Sequence, residues 1–175
     1  VSINEDGSAV VVTGSPDIGG SRASLALMAA EELGIPVESV RPVVADTEGI
    51  GYTDVTGGSR VTFATGMAVV EAARDVVGQL RARAARIWEV EPEAVAWEDG
   101  HAVLLTEPPG AHAPMSLREL AGRASQTGGP LVGRAALAAR GGSAHCGTSA
   151  RIAAYCLADD RAASCTARSG ARRRA

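Results

Sequence analysis

Residues 9–45 read AVVVTGSPDIGGSRASLALMAAEELGIPVESVRPVVA, and the order of elements within them decides the fold. Ala9-Val10-Val11-Val12 is short and β-branched, the composition of a strand. Gly14 to Ser21 is loop. From Arg22 to Leu33 the apolar residues Leu25, Met28, Ala29 and Leu33 recur at helical spacing. Gly34 is a natural helix stop, and Pro36 confirms it. Val40 to Ala45 is a second strand, with Pro42 placing it near a sheet edge. Strand, glycine-rich loop, helix and strand follow one another within one compact stretch.

The rest of the chain extends this core in both directions. Upstream, Asn4-Glu5-Asp6-Gly7-Ser8 is a turn that makes residues 1–13 a hairpin. Downstream, Asp46 to Gly58 is a long loop. A long helix starts near Ser59 to Thr65 and runs to about Trp88, with Val69, Ala72, Ala73, Val76, Leu80, Ala84 and Ile87 on its apolar face. Arg81, Arg83 and Arg86 in its last turns suit the negative end of its own dipole. Val95 to Trp97 and Ala102 to Leu105 form a hairpin across Asp99-Gly100, and Trp88 and Trp97 are core anchors. Ser116 and Glu119 make a capping box for a short helix. The expected order is β-β-α-β-α-β-β-α: an α+β chain, folded as a two-layer α/β sandwich on a mixed sheet.

Composition fixes the class. Apolar residues are 46% and charged residues 21% of the 175, ordinary for a globular domain. Aromatics are 3%, so Val, Ala, Leu and Ile must build the core. The net charge of −3 gives no reason to expect nucleic acid. No apolar run approaches the roughly 18 residues that span a bilayer. The opening residues lack a basic n-region and an apolar h-region, so a cytoplasmic protein is expected. The chain has no initiator Met and opens inside a strand-like pattern, which reads as a piece of something longer. Arginines are outnumbered by acids up to Gly142; from Ser143 onward the balance reverses, and all three cysteines fall there. The expected organisation is therefore one domain over residues 1–142. Residues 143–175 are expected to be an irregular or disordered tail, possibly out of frame.

Two turns carry the candidate chemistry. Asp17-Ile18-Gly19-Gly20-Ser21-Arg22 and Gly57-Gly58-Ser59-Arg60-Val61-Thr62 each combine bare backbone, hydroxyls and one arginine just before a helix. Glycine lets a ligand approach the main chain. The first amides of a helix lack internal partners, and arginine offers a fork of donors suited to phosphate. The plain alternative for each turn is a tight lead into its helix. Tyr52 and Phe63 are expected to serve core or loop packing.

Several blocks in order resemble a known family. These are Asp17-Ile18-Gly19-Gly20-Ser21, Ala29-Ala30-Glu31-Glu32-Leu33-Gly34-Ile35-Pro36, the Ala45-Asp46-Thr47 corner, and Gly57-Gly58-Ser59-Arg60 followed by Gly66-Met67-Ala68-Val69. Together they are similar to the molybdopterin-binding large subunit of the xanthine dehydrogenase/aldehyde oxidase family of molybdenum hydroxylases, over about residues 1–142. The resemblance implies a molybdopterin cofactor, extended by cytosine dinucleotide in bacterial members. It implies cofactor-binding roles for Gly19, Gly20, Ser21, Arg22, Gly58, Ser59, Arg60, Val61 and Thr62. Where the family's first turn reads Gly-Gln-Gly, this chain has Gly19-Gly20-Ser21, and Arg22 or the Ser21 hydroxyl is the replacement on offer.

The implied reaction is hydroxylation of an aldehyde or heterocycle carbon, with water as oxygen source and a distant glutamate as base. That glutamate lies outside these residues, so no catalytic residue and no protein ligand to a metal is expected here, and the fragment alone should be inactive. Electrons would leave through an iron–sulfur subunit to an FAD subunit. The resemblance places the substrate pocket on segments outside this chain, so the small-molecule substrate is not readable from it. The competing reading is a non-catalytic module for a phosphate-bearing ligand or a protein.

Overall fold

A computed structural model describes residues 1–44, 48, 50, 56, 57, 59–105 and 112–135. Gly58, the 45–47 corner and everything after residue 135, including the expected domain boundary, lie outside them.

The first sheet grows from β1 (Ser2–Ile3) and β2 (Ala9–Thr13). The expected turn joins them: Asn4 N donates to Ser8 O, and Gly7 takes φ 84°. Helix α1 (Ser21–Leu33) returns the chain to β3 (Val40–Val44), which pairs in parallel with β2 from Ala9↔Val40 to Thr13↔Val44. A late two-residue strand, β7 (Leu131–Val132), joins the other side of β1, giving the order β3-β2-β1-β7. Pro42 thus sits on an edge strand, where its missing N–H is harmless.

A π-helical turn, Val61–Thr65, leads into α2 (Gly66–Trp88). Helices α1 and α2 pack together on one face of the sheet. Leu25, Ala29 and Leu33 of α1 and Val69, Ala73, Val76 and Leu80 of α2 are buried with Ala9, Val11 and Val40. A second, antiparallel sheet, β4 (Val95–Glu98), β5 (His101–Leu104) and β6 (Met115–Ser116), lies beyond. Asp99 (φ 46°) and Gly100 (φ 76°) form its two-residue hairpin turn, as Asp-Gly steps favour. Short helices α3 (Leu117–Gly122) and α4 (Ala124–Thr127) complete the described chain. Ser116 and Glu119 cap α3 reciprocally, as expected.

The α+β class and the mixed sheet stand, with two corrections. The strands form two sheets instead of one. The element list also gains β6, β7 and α4, which are too short to leave a periodic signal.

Both long helices end in a left-handed residue, and in each the next amide reaches back to a carbonyl five residues earlier. After α1 it is Gly34 (φ 69°), and Ile35 N reaches back to Ala30 O at 3.1 Å. After α2 it is Glu89 (φ 57°), and Val90 N reaches Ala85 O at 2.9 Å. A side chain is disfavoured in that conformation. Glu89→Gly should therefore raise stability by about 1 kcal/mol, read as a higher midpoint in urea unfolding with an unchanged slope.

Candidate functional site

The parallel strands β2 and β3 end side by side, at Thr13 and Val44. The first turn follows β2 directly. The second lies on the segment leading from β3 to α2. In open α/β sheets, ligands gather outside the carboxyl ends of parallel strands. Three contacts fix how the helices stand. Ser15 and Thr65 hydroxyls meet at 2.8 Å. A Cβ on Gly66 would fall 2.8 Å from Met28 Sδ. Arg74 donates to both oxygens of Glu32, each at 2.9 Å. These contacts step along α1 and α2 in the same direction, so the two helices start at the same end of the layer. Both turns therefore sit at that end.

In the first turn, Gly19 (φ 60°) and Gly20 (φ 79°) adopt left-handed backbone, and among the described residues nothing lies within 4 Å of where their side chains would be. Their main chain faces open space. Ser21 is buried, and its hydroxyl accepts from Ile18 N (3.1 Å) and donates to Asp17 Oδ1 (3.2 Å). Asp17 also accepts from Arg22 N at 3.0 Å and pairs with the Arg22 side chain at 3.3 Å. A carboxylate thus already covers the start of α1, a role the sequence reading did not give it. The parts of this turn open to a ligand are the backbone of Gly19 and Gly20 and the Arg22 side chain, which is exposed although paired with Asp17.

The Arg22 amide, then Ser21 and the Arg22 charge, hold the Asp17 carboxyl below the usual carboxylate range against a smaller opposing effect of desolvation. A depressed folded pKa contributes stability above the unfolded value, and that contribution is lost as pH falls through the folded one. Asp17→Asn should accordingly melt below the parent at neutral pH. The gap should close under acid, below about pH 4, in thermal melts run across a pH series.

In the second turn, no described residue lies within 4 Å of where a Gly57 side chain would be. Ser59 is exposed and takes φ 62°, a left-handed conformation uncommon outside glycine. Arg60 N donates to Gly57 O (3.0 Å) and Phe63 N to Ser59 O (3.1 Å). Thr62 is exposed, whereas the Val61 side chain is buried, so Val61 offers a ligand only its main chain. The π-turn that follows is a local irregularity of the kind found at functional sites. Phe63, expected to serve core or loop packing, is 44% exposed and so is not a core residue; Tyr52 lies outside the described residues. The Ser15–Thr65 hydroxyl pair ties this turn to the first. It joins residues fifty positions apart and left no trace in the sequence.

No group of three His, Cys, Asp or Glu side chains that could hold a metal occurs among the described residues. None of their helices is long and apolar enough to cross a membrane.

Residues 1–157 match the family described as "Molybdopterin cofactor-binding domain". The carbon monoxide dehydrogenase large chain of Hydrogenophaga pseudoflava is 35% identical over 99 residues, which cover 56% of this chain and 12% of that protein. Among solved structures, reconstituted CO dehydrogenase from Oligotropha carboxidovorans matches with a TM-score of 0.66 at 25% identity, over 77% of this chain and 17% of that one. Quinoline 2-oxidoreductase from Pseudomonas putida 86 matches with a TM-score of 0.60 at 25% identity, over 71% and 16%. The chain thus spans about one eighth of the curated relative.

Proposed function

This chain belongs to the molybdopterin cofactor-binding domain family, and from that premise we propose that it holds the cofactor of a molybdenum hydroxylase large subunit between its two glycine turns. The observation that carries the reading is the placement of both turns at one end of the parallel α1–α2 pair, beyond the carboxyl ends of β2 and β3. The residues present fit such a guest. Gly19, Gly20 and Gly57 leave backbone open to close approach, and Ser59, Arg60 and Thr62 add hydroxyls and a guanidinium beside a helix start.

In this reading the first turn contributes main chain from Gly19 and Gly20. Ser21 and Arg22, paired with Asp17, hold the shape of that turn. The second turn, Gly58 included, binds the phosphate end through Ser59, Arg60 and Thr62 and the amide of Val61. Bound cofactor supplies the redox chemistry that hydroxylates a substrate carbon with water-derived oxygen. The chain's own residues bind and orient it and carry no proton in the reaction. The proposal extends to a cytosine-dinucleotide form of the cofactor. It extends also to iron–sulfur and FAD subunits as electron-transfer partners, a small-molecule aldehyde or heterocycle as substrate, and a cytoplasmic setting. The domain we assign is residues 1–142, all within the family match.

The test is the metal and pterin content of the intact subunit from molybdate-replete cells, by elemental mass spectrometry and fluorescence of the oxidised pterin. About one molybdenum per chain is expected. Changing Ser59 and Arg60 together to Ala removes a hydroxyl and a charged donor, and should lower retained cofactor roughly tenfold or more. A parent without molybdenum, or a double variant that keeps its full complement, would refute the reading.

A further inference from the structure

The first sheet has an apolar face that the two helices do not cover. Alternation along β2 sends Ala9, Val11 and Thr13 to the buried side and Val10 and Val12 to the other. Register carries that outer face across the sheet. Val10 aligns with Ser2 and Arg41, Ser2 with Val132, and Val12 with Val43. Four of these six positions are valine. Val12 is 38% and Val132 40% exposed, and Val10 and Val43 are half-buried. A sheet with one wet face alternates apolar-in and polar-out. Strand β2 instead reads as a near-continuous apolar run, the pattern of a strand covered on both sides.

We infer that this outer face is an internal contact surface, covered by a segment of the same longer polypeptide outside these 175 residues. The inference rests on the reading of the chain as part of a large subunit. Size argues for a tethered occupant. Four strands about 4.8 Å apart, at most five residues long at about 3.3 Å each, present about 300 Å². A stable interface between separate chains buries roughly 800 Å² on each partner, so a second copy gains too little here. A segment of the same chain needs far less contact, because its effective concentration is already high. Length argues the same way, since the match covers only 17% of the CO dehydrogenase chain, and most of such a subunit lies elsewhere.

The experiment is photo-crosslinking in the full-length subunit, with a benzophenone amino acid replacing Val12 and, separately, Val132. The same probe at Glu71, exposed on α2, serves as control. The expected product migrates as a single subunit, and peptide mass spectrometry joins residue 12 or 132 to a peptide outside residues 1–175 of the same polypeptide. A product of doubled mass, a cross-link to a different subunit or within residues 1–175, or a yield no higher than the Glu71 control overturns the inference. Molybdenum is measured on the same preparation. Full metal without the cross-link sinks this inference alone, and the cross-link without metal sinks the cofactor reading alone.

Discussion

Replacing Arg83 with methionine should lower the stability of this chain by about 3 kcal/mol, roughly the cost of removing a buried charged donor from three carbonyls, two of them half-buried. Arg83 lies within α2, yet it is only 7% exposed. Its guanidinium donates to Gly129 O at 2.6 Å, Pro130 O at 3.3 Å and Ala124 O at 3.5 Å. Among the described residues no carboxylate is paired with it. Desolvation, and then the neighbouring Arg86 charge, pull its pKa below the ordinary arginine value. The three carbonyls are therefore the counterweight that keeps a buried cation in place. They also fasten the link between α4 and β7 to the long helix. Methionine fills similar volume but leaves all three acceptors bare. Lysine keeps the charge yet cannot span three oxygens with one compact ammonium, and should fall between. Urea unfolding monitored by circular dichroism gives the values. A methionine variant within about 1 kcal/mol of the parent would mean that burying the charge costs as much as its bonds return.

Gly34→Ala should be comparably damaging, by more than about 3 kcal/mol. Two effects add. At φ 69° any side chain is disfavoured, by about 1 kcal/mol. The new Cβ would also land on the backbone nitrogen of Gly100, in the turn of the second sheet. Backbone cannot step aside as a flexible side-chain tip can. Trp97, whose indole nitrogen donates to Leu33 O at 3.1 Å beside this contact, should report the displacement in near-ultraviolet circular dichroism. Gly20→Ala is the matched control. It shares the left-handed backbone (φ 79°) but faces open space, so it should cost about 1 kcal/mol. Equal losses at the two positions would show that conformation alone, and not the meeting with Gly100, sets the penalty.

Much of this architecture is legible in local chemistry. The β-branched run at Val10–Val12, the helical spacing from Leu25 to Leu33, the stop at Gly34, the Asp99-Gly100 turn and the Ser116–Glu119 cap each act within a few residues, and each appears where expected. What escaped depends on partners distant in sequence. Strands β6 and β7 are two residues each and exist because β5 and β1 offer them an edge. Arg81, Arg83 and Arg86 read as companions of their own helix dipole. Arg86 does lie in the last turn, and all three also donate to carbonyls of Val95, Gly129 and Thr127 on later segments. At the site, the glycines announced both turns. The capture of the α1 start by Asp17 and the joining of the turns through Ser15 and Thr65 needed the folded chain.

Residues Val1 and Gly133 exchange both main-chain bonds, at 2.9 and 2.8 Å. Two positions 132 residues apart in the sequence are therefore neighbours in the fold. A module with adjoining doors can be spliced into a larger protein without prising apart the sequences on either side. That separation also means that strand β1 must wait for its last neighbour until both long helices between them have been made.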